Sequence, residues 1–174
     1  MKFLLAAIAT LYLGFTSVPS NAAEKWFPFP VEVWNKPFDF SSSRTDKSYV
    51  ALKRAQKKWH IFLSIPHMKD AYWIAVNYGA ISEAQRLGIK LSLFEADGYS
   101  KLVVQKNQIN DCVKDGADGV IISAASYKGL NKTVEDIAAK NIPVVDLING
   151  IESNKISAKS IVNFMTWVLQ QVTT

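Results

Sequence analysis

From Trp59 onward the chain alternates short apolar runs with helical periods, about thirty residues to a unit, and this rhythm restricts the fold more than any other feature. Residues 59–65 (WHIFLSI) form an apolar run halted by Pro66, which reads as a buried strand. Asp70 then stands where a helix N-cap belongs, and a periodic stretch runs to Leu87 with Gly88 as its stop. Residues 89–95 alternate as a second strand, and Asp97–Gly98 turns the chain. Leu102, Gln105, Lys106, Ile109 and Val113 carry a second helical period that ends at Gly116. Residues 119–123 are a third, wholly apolar strand, Gly129–Lys140 a third helix, and Pro143 opens a fourth strand over residues 144–148.

The order β-α-β-α-β-α-β predicts an α/β fold, a doubly wound parallel sheet with helices on both faces. Near-continuous apolar strands fit that arrangement, because both of their faces are covered. Among doubly wound sheets the expected strand order is flavodoxin-like, 2-1-3-4 onward. Ligands of such sheets gather beyond the carboxyl ends of the strands, which nominates the loops that follow each strand.

The first fifty-eight residues are of another kind. A positive start at Lys2, an apolar run from Phe3 to Phe15 and small residues to Ala23 have the layout of a secretory signal peptide, residues 1–22, cut after Ala22 or Ala23. The apolar run is shorter than the ~20 residues a membrane span requires. The mature product is therefore expected to be soluble, exported and not membrane-anchored. Residues 23–58 read as an irregular N-terminal extension, since Pro28, Pro30 and Pro37 fix backbone angles and remove donors. The formal charge of +5 is local: residues 44–58 hold Arg44, Lys47, Lys53, Arg54, Lys57 and Lys58 against Asp46 alone. A solvated basic arm fits this better than a nucleic-acid site, and no nucleic-acid partner is expected.

One cysteine and two histidines leave no disulfide framework, no Cys-based zinc site and no His-rich metal centre. Lone Cys112 falls within a helix and reads as a small buried hydrophobe. The loop after the first strand, Pro66-His67-Met68-Lys69, is neither a Walker loop nor a GxGxxG turn, so no nucleotide cofactor is expected. Nucleophile elbows, HExxH and CxxC are absent, which makes a binding protein the better class and an enzyme the poorer one.

What the nominated loops do carry is aromatic. Tyr72 and Trp73 follow the first strand, Tyr99 the second and Tyr127 the third. Ring faces hold a methylated cationic nitrogen through their quadrupole, and they equally stack on a sugar. Trp73 and Tyr72 could instead pack the first helix on the sheet. Asp70 could serve as a cap alone, or could also face a ligand cation or a sugar hydroxyl. His67 could orient a ligand, but reads better as a solvated loop residue.

The stretch from His67 through Asp70-Ala71-Tyr72-Trp73 to Gly79 resembles the TorT family of type I periplasmic binding proteins. So do Glu95-Ala96-Asp97-Gly98-Tyr99, Gln108–Val113, Gly116-Ala117-Asp118, Ile148-Asn149-Gly150 and Ser157–Ser160. Members of that family partner TorS-like sensor histidine kinases in sensing trimethylamine N-oxide. The resemblance implies that residues 59–164 are the first lobe of a two-lobed protein. It also implies that Asp70, Tyr72, Trp73 and Tyr99 line one wall of the trimethylamine N-oxide site, and that the periplasmic domain of a sensor kinase is the partner. Residues 165–174 depart from the family pattern as an uncharged tail, so a missing second lobe and weak or no ligand binding by this chain alone are expected. The alternatives are a sugar-binding component of a transporter, for which Asp70 and Asn149 are the candidate hydrogen-bonding residues, and a gene fragment without function.

Overall fold

The computed structural model describes residues 27–162. The expected signal peptide and the uncharged tail lie outside the described residues. The first two strands, β1 (Phe29–Trp34) and β2 (Arg44–Tyr49), pair antiparallel from Phe29↔Tyr49 to Trp34↔Arg44. This corrects the reading of residues 23–58 as irregular. Proline has no N–H to donate and is tolerated in a strand with an open edge, as Pro30 has in this two-stranded ribbon. The connecting loop is closed by side chains from the serine run. Asn35 N–H donates to the Ser43 carbonyl at 3.0 Å, Lys36 N–H to Ser42 Oγ at 2.9 Å, and Ser41 N–H to Asp39 Oδ1 at 2.9 Å. Residues 50–58 carry no helix or strand, as expected.

The main sheet is parallel, with strands β3 (His60–Ile65), β4 (Lys90–Glu95), β5 (Gly119–Ile122), β6 (Val144–Leu147) and β7 (Ala158–Ser160) in the order β4-β3-β5-β6-β7. Counted from β3, its first four strands stand 2-1-3-4, the flavodoxin-like order. Helices α1 (Ala71–Leu87), α2 (Leu102–Lys114) and α3 (Asn131–Ala138) provide the crossovers. The third is shorter than the sequence reading at both ends. The edge strand β7 had no signal, because Ala158-Lys159-Ser160 is too short and polar to read as a strand.

Period-two alternation along the strands divides the core into two layers. Phe62, Val120, Ile122 and Val144 face α2 and α3, where they meet Ile109, Val134 and Ile137. Leu63 and Ile65 face the other way, against Trp73 of α1 and Ile148. The long first helix is delimited as its sequence requires. Asp70 is extended (φ −134°, ψ 166°) and its carboxylate accepts from Trp73 N–H, while Gly88 is left-handed at φ 68° with its N–H on the Ala84 and Gln85 carbonyls. An added Cβ at Gly88 meets no atom within 4 Å, so the cost there is conformational only. Gly88→Ala is expected to lose about 1 kcal/mol in a urea melt, with native spectra unchanged.

Cys112 is buried in the α2 layer, and burial pushes its thiol up to about 12. A thiol so far above neutrality is not a nucleophile in the folded chain. Ellman's reagent is expected to titrate Cys112 only once denaturant unfolds the protein; fast labelling of the native state would contradict this placement.

Candidate functional site

The carboxyl ends of the strands bring four loops to one edge: residues 66–70, 96–101, 123–130 and 148–157. Backbone and side-chain bonds tie the first two together. Pro66 O accepts from Gly98 N–H at 2.7 Å, and Met68 N–H donates to Glu95 Oε2 at 2.8 Å. Lys69 Nζ reaches across to Asp97, 2.6 Å from Oδ1 and 2.9 Å from its carbonyl. The hydrogen bond from Lys69, and then its charge, hold the Asp97 carboxyl below the usual range. That contribution is full above the ordinary carboxylate pKa and fades as pH falls through the depressed value. Asp97 and Gly98 both take positive φ, at 68° and 138°, which swings Tyr99 back over the first loop.

Rings from the first two loops gather beside an acid, a cluster we term the bowl. His67 packs edge-to-face on Tyr99, with centroids 5.3 Å apart at 81°, and on Trp73 at 6.1 Å and 73°. Tyr72 meets Trp73 at 5.5 Å and 87°. Burial, followed by the nearby Tyr99, raises the Tyr72 phenol above its ordinary value. Asp70 Oδ1 is engaged as the α1 cap, 3.0 Å from Trp73 N, while Oδ2 lies 3.9 Å from His67 Nδ1. The Asp70 side chain is 53% exposed, so capping leaves much of the carboxylate open to a ligand. Tyr99 is 49% exposed.

Trp73 requires a correction. It is only 3% exposed and belongs to the seam between α1 and the sheet, with Leu63, Ile65 and Ile148 around it. A ring in that seam offers no open face to a ligand; it supports His67 from below. The reason lies in helix geometry, because Trp73, Val76, Ala80 and Ala84 share the inward stripe of α1. His67, expected in solvent, occupies the vacated place in the wall and has a side chain only 12% exposed.

Two further residues join the site: Asn149, which the sequence offered only as a hydrogen-bonding partner for a sugar, and Gln105, which it did not offer. Asn149 Nδ2 donates to the Ala124 carbonyl at 3.0 Å and more loosely to Tyr99 Oη at 3.5 Å, which joins the fourth loop to the bowl. Gln105, wholly buried on α2, fixes the third loop. Its Oε1 accepts from Ala125 N–H at 2.8 Å, and its Nε2 donates to Ser64 Oγ and the Ser123 carbonyl, both at 3.0 Å. Tyr127 stands at the same edge with its ring against Gly150, where an added Cβ would lie 3.5 Å from two ring carbons. Periodicity marks Gln105 as an inward position, but the loop atoms it bonds are identifiable only from the fold.

A wider gap of about 1350 Å³ separates the β1–β2 ribbon from β7. Glu32, Arg44, Asp46 and Lys47 of the ribbon and Lys159 of β7 line it, Arg44 already paired with Glu32 at 2.8 Å. It runs along the edge strand rather than at the carboxyl-end loops where ligands of such sheets gather. Among the described residues no group of three or more His, Cys, Asp or Glu side chains could hold a metal ion. No helix among them is long and apolar enough to cross a membrane.

Comparison with known proteins agrees with this architecture. The periplasmic protein TorT of Escherichia coli O157:H7 is 34% identical over 108 residues, spanning 61% of this chain and 30% of that protein. The structure of an ABC transporter solute binding protein from Bradyrhizobium sp. BTAi1 with bound Bis-Tris superposes with a TM-score of 0.79 at 50% identity, covering 81% of this chain and 42% of that one. TorT in its complex with the TorS sensor domain, solved without ligand and with TMAO, superposes at 0.57 and 28% identity over 61% of this chain and 37% of that one. The chain thus spans less than half the length of these relatives. The family model of the periplasmic binding protein domain matches residues 61–165, more than half of the chain. With a parallel sheet in doubly wound order and that match, the chain belongs to the periplasmic binding proteins.

Proposed function

We propose that this chain forms the first lobe of a periplasmic solute-sensing protein whose bowl holds a small amine-type solute, with trimethylamine N-oxide as the first candidate. The observation that carries this reading is the convergence of His67 and Tyr99, from two separate loops, beside the half-exposed Asp70 carboxylate. A methylated cationic nitrogen is attracted by ring faces and by a carboxylate, and neither has to donate a hydrogen bond to it. The amine-oxide oxygen needs a donor, which Tyr99 Oη or Asn149 Nδ2 can supply across the same bowl. Tyr72 lies behind these rings as part of the wall. The kinship with TorT supports a TorS-like sensor kinase as partner, and the leader at residues 1–22 supports export. That a 50% identical relative was solved with Bis-Tris, itself a hydroxylated tertiary amine, favours the same ligand class.

That relative is a transporter component, so a transporter role is the second reading, and for a sugar solute Asp70 and Asn149 would be the hydroxyl partners. Asp70 separates its two duties in one experiment. Asp70→Ala should lose about 1 kcal/mol with the helix cap, whereas Asp70→Asn keeps an acceptor for Trp73 N–H and should hold the wild-type melt. Calorimetric titration with trimethylamine N-oxide and with ribose is expected to give weak heats for the amine oxide that both variants abolish. Equal binding by Asp70→Asn, or heats with ribose alone, would overturn the amine assignment.

A further inference from the structure

A buried ion pair lies behind the fourth loop, outside the bowl. Asp146 on β6 is wholly buried, and the Lys159 side chain on β7 is 4% exposed; the two are register neighbours, with Nζ 3.0 Å from Oδ2. Both partners hold the same residue. Asp146 Oδ2 accepts from Ile151 N–H at 2.8 Å, and Lys159 Nζ donates to the Ile151 carbonyl at 2.6 Å. Phe40, from the loop of the N-terminal ribbon, covers the ammonium with its ring centroid 5.4 Å away.

The turn just before Ile151 is strained. Ile148 sits at φ 67°, a region a β-branched residue rarely enters, and Gly150 follows at φ 84°. The strained end is pinned from the other side, where Ile148 N–H donates to the Ser160 carbonyl at 2.7 Å and its side chain enters the core beside Trp73. Asn149 stands between these anchors and reaches Ala124 O and Tyr99 Oη. Stability alone does not explain this arrangement. Asp146 Oδ1 is buried and accepts from no group among the described residues, and an apolar pair of similar volume is often as stable as a buried ion pair.

We infer that Asp146 and Lys159 are positioning residues, whose buried pair holds the strained Ile148–Gly150 turn so that Asn149 is presented to the oxygen of the bound solute. The backbone part of this inference stands on the geometry; the choice of ligand rests on the proposed function. Asn149 has the chemistry for the task. Its loosely held second N–H can leave Tyr99 Oη for a stronger acceptor, such as the anionic oxygen of an amine oxide, while the first stays on Ala124 O.

The test compares the full chain with Asp146→Asn, Lys159→Met and the double variant by side-chain amide NMR and thermal melts. Wild type should show contacts between the Asn149 amide and the Tyr99 ring. Lys159→Met leaves a buried carboxylate uncompensated and should melt lowest. The double variant is neutral and should regain much of the lost melting temperature, yet still lack the Asn149–Tyr99 contacts and bind trimethylamine N-oxide about fivefold to tenfold more weakly, the loss of one hydrogen bond. A double variant that regains both stability and contacts would overturn the inference, because the pair would then serve stability alone. Should Lys159→Met not fold, the comparison of wild type with the neutral double variant alone decides through the Asn149 contacts. Absence of amine-oxide shifts in the wild type would instead defeat the proposed function and leave the contact comparison intact.

Discussion

Replacement of Trp73 by alanine is expected to cost about 3–5 kcal/mol, among the largest losses available to a single substitution in this chain. The indole is 3% exposed between Leu63, Ile65 and Ile148, so truncation removes its transfer energy and leaves a cavity that α1 cannot collapse into without losing its seat on the sheet. A domain of this size has only about 5–15 kcal/mol to lose, and much of the population would unfold. Tyr99, half-exposed, should lose far less on truncation to alanine because its ring is already in water on one side. Urea melts of the two variants check this contrast directly. If Trp73→Ala is mild and Tyr99→Ala severe, the division of labour between seam and bowl is reversed.

Gln105→Leu is the second large effect, for a different reason. The amide is wholly buried and satisfies Ala125 N–H, the Ser123 carbonyl and Ser64 Oγ together. Leucine fills similar volume but leaves those groups without partners, at about 1–3 kcal/mol for each buried group so stranded. A total loss of at least about 3 kcal/mol is expected. Amide exchange at Ala125 should accelerate well beyond that at Phe62 or Val120, because the third loop loses its tether while the strands keep theirs. Uniform acceleration throughout the sheet would mean that Gln105 serves the core and not the loop.

The parts of this fold that were legible beforehand are those specified locally. Asp70 and Gly88 marked the ends of α1 because an N-cap needs a short acceptor and a left-handed stop needs no Cβ. The runs at 59–65 and 119–123 marked central strands because both their faces are covered. The β1–β2 ribbon was obscured because its prolines argue against strands unless the strand is known to be at an edge. In the site, Asp70 and Tyr99 could be nominated from the rule that ligands gather at the carboxyl ends of parallel strands. Trp73 was misplaced because one loop-to-helix junction carries both a wall residue and a seam residue, and only the helical stripe through Val76, Ala80 and Ala84 separates them. His67 and Asn149 stand eighty-two positions apart in sequence, and no local signal reports that the sheet brings both to Tyr99.

If the bowl is where solute binds, the side chains that form it must report the ligand. Titration of isotope-labelled protein with trimethylamine N-oxide, followed at individual side chains, tests this directly. The expected result is a saturating shift of His67, Tyr99 and the Asn149 amide, a smaller one at Tyr72, and an unmoved Trp73 indole N–H in its buried seam. Shifts confined to the gap between the ribbon and β7, or to the Trp73 indole without His67 and Tyr99, would contradict the account.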